Sequence, residues 1–182
     1  MRTVILIGNA DRTAKAVTAA LSRFAPTSVI GTRLQTVEHP KVLAVLSEKL
    51  CEVDTEGAVL VFTGRYKKTS GRLLSAGVAV ADSSDRVAAE LLSGTGIPVV
   101  TCGGEKDTLC FSSEGGGSFC ITLQRSIRTL AGEVTEPCEI PVKSPFCDRF
   151  EALLCAGVLL LLGASPEEVS FGLNCTAPRF DR

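Results

Sequence analysis

The residues with the clearest potential for chemistry follow a short apolar run at the N-terminus, from Gly8 to Thr13. The apolar run 3–7 predicts a strand buried on both faces, and the spacing of apolar residues over 13–24 predicts a helix. In a strand, short loop and helix of this kind, backbone N–H groups and the helix N-terminus can bind phosphate. We therefore interpret this stretch as a candidate phosphate loop, with candidate contacts from Gly8, Asn9, Asp11, Arg12 and Thr13.

The loop departs from a working phosphate loop, which reads G-x-x-x-x-G-K-[ST] or the shorter G-T-x-G-K-[ST]. Arg12 and Thr13 stand in the place of the lysine and the hydroxyl residue, but Asp11 replaces the second glycine. A carboxylate there repels a polyphosphate, and its Cβ crowds a loop that needs the freedom of glycine. Arg12 keeps a positive charge without being a compact point charge, and Thr13 is a weak candidate ligand for magnesium. The alternative is an ordinary strand-to-helix turn in which Asp11 caps the helix.

Alternating strands and helices in the first half must position this loop. After the first strand and helix, we predict strand 28–30, helix 39–50, strands 58–62 and 77–81, helix 86–92 and strand 97–102. Such alternation predicts a mainly parallel sheet. Short runs at 108–113, 118–124, 127–130 and 138–142 predict a small antiparallel sheet, and helices 146–162 and 165–173 close the chain. The predicted fold class is α/β, a mainly parallel P-loop-type sheet flanked by helices with a small antiparallel sheet appended, and we expect residues 1–182 to form one domain.

Composition excludes several function classes. The chain has 182 residues, of which 45% are hydrophobic and 21% charged, with a formal net charge of -1. This balance provides no electrostatic footprint for nucleic acid or for an anionic membrane surface, so neither is an expected partner. The longest apolar stretch, 152–162, is far shorter than the roughly 20 residues that span a bilayer, and nothing resembles a signal peptide. We expect a cytoplasmic protein.

The eight cysteines occur singly in apolar runs, with no C-x-x-C pair, and His39 is the only histidine. This pattern favours reduced cysteines acting as small core residues over a disulfide framework or a zinc site.

Several landmarks occur in the order of one family pattern. After the loop come a strand ending in Gly31-Thr32, the run 58–64 (AVLVFTG), the polar element 82–85 (DSSD), the helix start 147–152 (CDRFEA) and the closing run 177–181 (APRFD). The ordered series resembles the ATP-binding central domain of the Mur ligases and folylpolyglutamate synthetases. There the corresponding motifs are G-T-x-G-K-[ST], a strand ending in Gly-Thr, A-V-L-E-V-S-S, N-x-D-D, H-N-x-x-N-A and P-G-R-F-E.

The resemblance implies particular roles and particular losses. The family joins a carboxylate to an amine through an acyl phosphate made from ATP, in the context of cell-wall synthesis for the Mur ligases. The asparagines that help to hold adenine correspond to Asp148 and Glu151, the acidic magnesium ligand corresponds to Val61, and the closing arginine is retained as Arg179. With Asp11 and Arg12 in a degenerate Walker A loop, we expect ATP or ADP with magnesium to bind weakly or not at all.

The resemblance also implies missing parts, since Mur ligases add an N-terminal and a C-terminal substrate domain. We therefore predict a pseudoenzyme, a nucleotide-binding or assembly module that is not a self-sufficient enzyme. The alternative is one component of an ATP-dependent carboxylate–amine ligase whose missing domains come from a protein partner; a homo-oligomer is also considered. The basic residues of 65–72 are either a partner-facing or phosphate-facing cluster or a solvated loop.

A different chemistry remains open at Cys147. This residue precedes a predicted helix, and a helix N-terminus lowers the pKa of a thiol, so Cys147 is a candidate nucleophile. The opposing interpretation is a buried structural cysteine, because the sequence gives His39 no tie to it.

Overall fold

The structure, a computed structural model, describes residues 1–8, 11–48, 52–64, 73–115, 118–143 and 148–174. These residues form twelve strands and four helices. The strands are β1 (Arg2–Ile7), β2 (Thr27–Ile30), β3 (Leu34–Gln35), β4 (Val42–Ser47), β5 (Val53–Phe62), β6 (Leu73–Asp82), β7 (Val99–Gly103), β8 (Leu109–Gly115), β9 (Ser118–Leu123), β10 (Ile127–Arg128), β11 (Val134–Thr135) and β12 (Cys138–Val142). The helices are α1 (Asp11–Phe24), α2 (Arg86–Leu92), α3 (Arg149–Leu161) and α4 (Pro166–Asn174).

Ten of these strands form one sheet in the order β12-β9-β8-β7-β6-β5-β1-β4-β2-β3. The seven strands from β8 to β2 in that order pair in parallel. Antiparallel pairs extend the sheet at both ends: β9 and β12 beyond β8, and β3 beyond β2. The predicted α/β class is confirmed, and most of the predicted antiparallel strands continue the main sheet. Only β10 and β11 form a separate two-stranded sheet.

The helix predicted over 39–50 is wrong. Val42–Ser47 instead forms β4, which lies between β1 and β2 and pairs in parallel with both. A continuous apolar run satisfies helical and strand periodicity equally, so spacing alone could not separate them. The run is short and contains two valines, which favour strands. It also lies between β1 and β2, and their backbone groups form hydrogen bonds with it.

Helices cover the two faces of the sheet unequally. On one face α1, α3 and α4 pack on a large core that includes Val17, Leu154 and Val169. On the other face, α2 packs with Ala88 and Leu92 on a smaller cluster. None of the helices in the described part of the chain is long and apolar enough to span a bilayer.

Helix α3 is the central element of the larger core. Every residue from Glu151 to Leu161 is buried, and Glu151 is the only charged residue among them. At Gly157 the helix lies so close to the sheet that an added Cβ would sit 3.1 Å from Leu109 Cδ1 and 3.2 Å from Val80 Cγ1. A helix of 13 residues is roughly 20 Å long, and α3 runs from the start of α1, which Glu151 contacts, to the start of β1, where Arg2 donates to the Leu162 carbonyl.

Candidate functional site

The strand order reverses between β1 and β5, and we call the region at the carboxyl ends of these two strands the β1–β5 crevice. From β1 the chain passes through α1 to β2 on one side, whereas β5 lies on the other side of β1. In open α/β sheets, ligands bind where the strand order reverses in this way. The two strand ends are tied together because Thr63, which follows β5, donates from its N–H and its hydroxyl to the Ile7 carbonyl at 2.9 and 3.0 Å.

The candidate phosphate loop leaves β1 at this crevice. Gly8 has φ +127°, a conformation that favours glycine, and its N–H donates to the Ser47 carbonyl at 2.9 Å. Helix α1 then begins at Asp11. Asn9 and the Asp11 side chain lie outside the described residues, so the predicted clash of Asp11 with phosphate stays a prediction.

The N-terminus of α3 lies beside that of α1. Asp148 caps α3 from an extended conformation, with its carboxylate accepting the Phe150 N–H at 2.8 Å. This is the ordinary use of aspartate at a helix start. Cys147 and Arg179 lie outside the described part of the chain, so their predicted roles are not tested.

An ion pair joins the two helix starts. Arg12 Nε lies 3.3 Å from Glu151 Oε1, with the Arg12 side chain 63% exposed and the Glu151 side chain only 4% exposed. The Thr13 hydroxyl, which is buried, donates a hydrogen bond to the same carboxylate. The structure thus brings together Arg12, Thr13 and Glu151, which the sequence analysis selected from two distant segments.

The balance of forces on Glu151 determines the charge of this cluster. Burial raises the pKa of Glu151, and the nearby Asp148 carboxylate raises it further. Arg12 and the Thr13 hydrogen bond lower the pKa, but the net shift is upward because desolvation is the largest effect. Ionisation of the Glu151 carboxylate is therefore less favourable here than in water.

Among the described residues, Val61 and Thr13 are the two that bear on the predicted loss of a magnesium site. Val61, which the sequence resemblance aligns with the family's acidic ligand, is 0% exposed and belongs to the large apolar core. Thr13 directs its hydroxyl to Glu151. Within residues that the structure describes, no group of three or more His, Cys, Asp or Glu side chains could hold a metal ion.

The polar element 82–85 lies at the same edge, after β6, and its carboxylates have local partners. Asp82 accepts hydrogen bonds from the N–H and hydroxyl of Ser84, each at 2.7 Å, and Asp85 caps α2. Sequence reasoning missed Asp107, which accepts from the Ser83 hydroxyl at 2.8 Å and the Gly104 N–H at 2.7 Å. The one sequence feature that could have pointed to Asp107 is the turn-forming pair Gly103-Gly104 that precedes it.

The described cysteines have no disulfide partners; they are Cys102, Cys110, Cys120, Cys138 and Cys155. Burial raises the pKa of Cys102 and of Cys155 well above the usual value of a thiol. Both thiols therefore stay protonated and unreactive.

Comparison with known proteins found similar solved structures but no match by sequence. No protein-family model matches the chain, and no curated protein matches its sequence. Among solved structures, it is similar to the UDP-N-acetylmuramate:L-alanyl-gamma-D-glutamyl-meso-diaminopimelate ligase from Neisseria meningitides, with a TM-score of 0.65 and 14% identity over 96% of this chain and 66% of that one. MurF from Acinetobacter baumannii gives a TM-score of 0.62 and 14% identity, over 97% and 46% of the two chains.

MurF from Thermotoga maritima, solved in complex with ADP, gives a TM-score of 0.54 and 10% identity over 96% of this chain and 48% of that one. The chain therefore spans between 46% and 66% of the length of these three proteins. At such identities the likeness establishes the fold alone. The predicted resemblance is confirmed at that level: the chain has the fold of the Mur ligase central domain.

Proposed function

We propose that this chain is a nucleotide-binding module on the Mur ligase central-domain fold. It binds adenine nucleotides weakly in the β1–β5 crevice and does not transfer a phosphoryl group by itself. The observation that carries the proposal is the convergence of two helix N-termini, those of α1 and α3, on the crevice, where Arg12 and Glu151 form an ion pair. Helix N-termini attract anions, and one structure of similar fold was solved with ADP.

The weakness of binding follows from the charges. A polyphosphate entering the crevice meets an arginine that already has a carboxylate partner at 3.3 Å. It also approaches Asp148 and Glu151, two acids at the start of α3. Like charges about 4 Å apart in water repel by about 1 kcal/mol, so the exposed carboxylate of Asp148 weakens binding severalfold, and the buried carboxylate of Glu151 adds to this when it is ionised.

The proposed lack of self-sufficient catalysis rests on Val61 in β5 and on the pairing of Arg12. Phosphoryl transfer depends on metal ions that neutralise developing charge and on fixed positive groups at the transferred phosphate. Val61 provides no oxygen ligand in this position, and the guanidinium of Arg12 is paired with Glu151. We therefore expect binding without turnover.

A thermal-shift titration with ATP and ADP, each with and without magnesium, tests the proposal. Nucleotide at a few times its dissociation constant stabilises a protein by about 1 kcal/mol, which corresponds to a rise in Tm of about 2 to 4 °C for a chain of this size. We expect such a rise in the wild-type protein at millimolar nucleotide and its loss in Arg12→Ala. The rise should be retained in Arg128→Ala, because Arg128 lies near the other end of α3. No rise in the wild-type protein would reject nucleotide binding.

The second candidate function is one component of an amide-forming ligase that acts with partner domains. In its favour, solved structures of similar fold include ligases. Steady release of ADP from ATP by the isolated chain, lost in Arg12→Ala, would favour this function over the non-catalytic module. The absence of release while the thermal shift persists would favour the module.

A further inference from the structure

A second concave region lies on the side of the amino ends of β7 and β8, whereas the β1–β5 crevice lies at carboxyl ends of strands. Its volume is about 360 Å³, and it is lined by Pro98 to Val100 around the start of β7, by Thr108 before β8, by the segment 125–130 and by Leu161 at the end of α3. Ligand pockets in proteins have volumes of about 300 to 1,000 Å³. We call this region the α3-end cavity.

The α3-end cavity is built by specific contacts. Leu130 donates its N–H to the Leu161 carbonyl at 2.9 Å, which fixes the segment 125–130 against the end of α3. At Gly77, an added Cβ would lie 2.6 Å from the Glu56 carbonyl oxygen and 2.9 Å from Leu130 Cδ2. A side chain at Gly77 would therefore push this wall out of place.

Two arginines line the cavity. Arg125 donates to the Lys106 carbonyl at 3.1 Å, and Arg128 donates to the Gly132 carbonyl at 3.0 Å. Each guanidinium is thus anchored by one neutral acceptor, and among the described residues neither has a carboxylate partner. The described lining residues include no Asp or Glu. The carboxylate bonded to the lining is that of Glu136, which accepts from the Ser126 hydroxyl at 2.6 Å.

The remaining lining combines apolar walls with a polar atom that lacks a partner. Val78, Val100, Ile127, Leu130 and Leu161 supply the apolar surface. Thr129, which is 6% exposed, also lines the cavity, and its hydroxyl has no hydrogen-bond partner among the described residues.

We propose that the α3-end cavity binds a small organic anion with an apolar body and a carboxylate or phosphate head group. The planar fork of arginine matches both head groups in a bidentate manner. The apolar walls take the body of the ligand, while Arg125 and Arg128 take its charge. This site is independent of the nucleotide proposal, because it lies at the other end of α3.

An amide chemical-shift titration of the full chain with four probes tests the site: hexanoate, hexyl phosphate, hexanol and inorganic phosphate. We expect the two amphiphilic anions to shift the amides of Ile127 to Leu130 and of Gly77 at millimolar concentration. The better of the two identifies the head group. Equal binding of hexanol would show that charge is not recognised, and equal binding of inorganic phosphate would show that the apolar walls are not used; either result overturns the proposal.

Variants separate recognition from folding. Arg125→Ala with Arg128→Ala should weaken binding of the better anion about tenfold or more, because the two substitutions remove the charged hydrogen-bond donors of the cavity. Arg125→Lys with Arg128→Lys keeps the charge without the fork and should fall between the wild type and the double alanine variant. Arg12→Ala, at the β1–β5 crevice, should bind the anion as the wild type does. Unchanged binding in a double alanine variant that keeps a folded amide spectrum would overturn the proposal.

Discussion

The two ends of α3 use arginine in opposite ways. At the N-terminal end, Arg12 is 3.3 Å from a carboxylate that is almost completely buried. At the C-terminal end, Arg125 and Arg128 donate to backbone carbonyls and, within the described part of the chain, have no acidic partner. The difference shows that the order of family-like motifs along the sequence does not identify which positively charged side chains lack an acidic partner. The family-like motifs lie at the first end, whereas two arginines with no acidic partner among the described residues lie at the second.

The largest effect is expected from displacing α3 itself. Gly157→Val places new atoms against Leu109 and Val80, whose side chains lie 3.1 and 3.2 Å from an added Cβ. Overpacking of this kind lowers the free energy of unfolding by about 1 to 3 kcal/mol, and both candidate sites should bind more weakly because both depend on α3. Denaturant unfolding measures the loss.

Gly57→Val is the matched control, because a Cβ at Gly57 has no neighbour within 4 Å. It should change stability by less than about 0.5 kcal/mol. An equal loss in the two variants would show that the close approach of α3 to the sheet is not responsible.

The next effect concerns pH at the N-terminal end. Because the pKa of Glu151 is raised in the folded protein, the unfolded state releases this proton at lower pH than the folded state does. The contribution of Glu151 to stability is therefore complete below the ordinary pKa of a glutamate and is lost as pH rises through the raised value. Each unit of displacement is worth about 1.4 kcal/mol.

Glu151→Gln removes this titration while keeping an acceptor for Thr13. We expect the variant to be more stable than the wild type at neutral pH and to lose the slope between mildly acidic and neutral pH in unfolding experiments. A wild type that becomes more stable over the same rise in pH would show that the Arg12 pair outweighs burial.

A smaller effect is expected from Arg12→Ala. The arginine is 63% exposed, so solvent screens the pair and limits its contribution to about 1 kcal/mol or less. Because Arg12 lowers the pKa of Glu151, its removal should raise that pKa further. The pH at which stability falls should therefore move upward, and a downward movement in unfolding curves would contradict the assignment.

The smallest effect on stability is expected at the other end of α3. Arg125→Ala with Arg128→Ala removes two exposed side chains that are bonded only to carbonyls among the described residues, and the free energy of unfolding should change by less than about 1 kcal/mol. A much larger loss of unfolding free energy would show that these arginines stabilise the fold and would argue against a role in ligand binding.

Much of this fold follows from local patterns in the sequence. The amphipathic α1 was predicted because its apolar residues have an unambiguous helical spacing, and β1 because its apolar run ends at Gly8. The strand β4 was mistaken for a helix because a short continuous apolar run fits both periods. Strands β3 and β11 escaped notice, since two-residue strands leave no periodic signal.

The candidate site was predictable only in part. Arg12, Thr13 and Glu151 were selected through the order of motifs, but nothing in their spacing shows that they contact one another, because 138 residues separate Thr13 from Glu151. The α3-end cavity could not be predicted. Arg125 and Arg128 look like ordinary surface charges until the contact of Leu130 with Leu161 places them beside an apolar cavity.

The most direct test of the central claim is the dissociation constant of ADP measured by titration calorimetry for three forms of the chain. If the β1–β5 crevice binds nucleotide and the Arg12–Glu151 pair opposes it, Glu151→Gln should bind ADP about fivefold more tightly than the wild type, equivalent to about 1 kcal/mol. Arg12→Ala should bind more weakly than either. Affinity that is unchanged or reduced in Glu151→Gln, or unaffected by Arg12→Ala, would contradict the placement of nucleotide in this crevice.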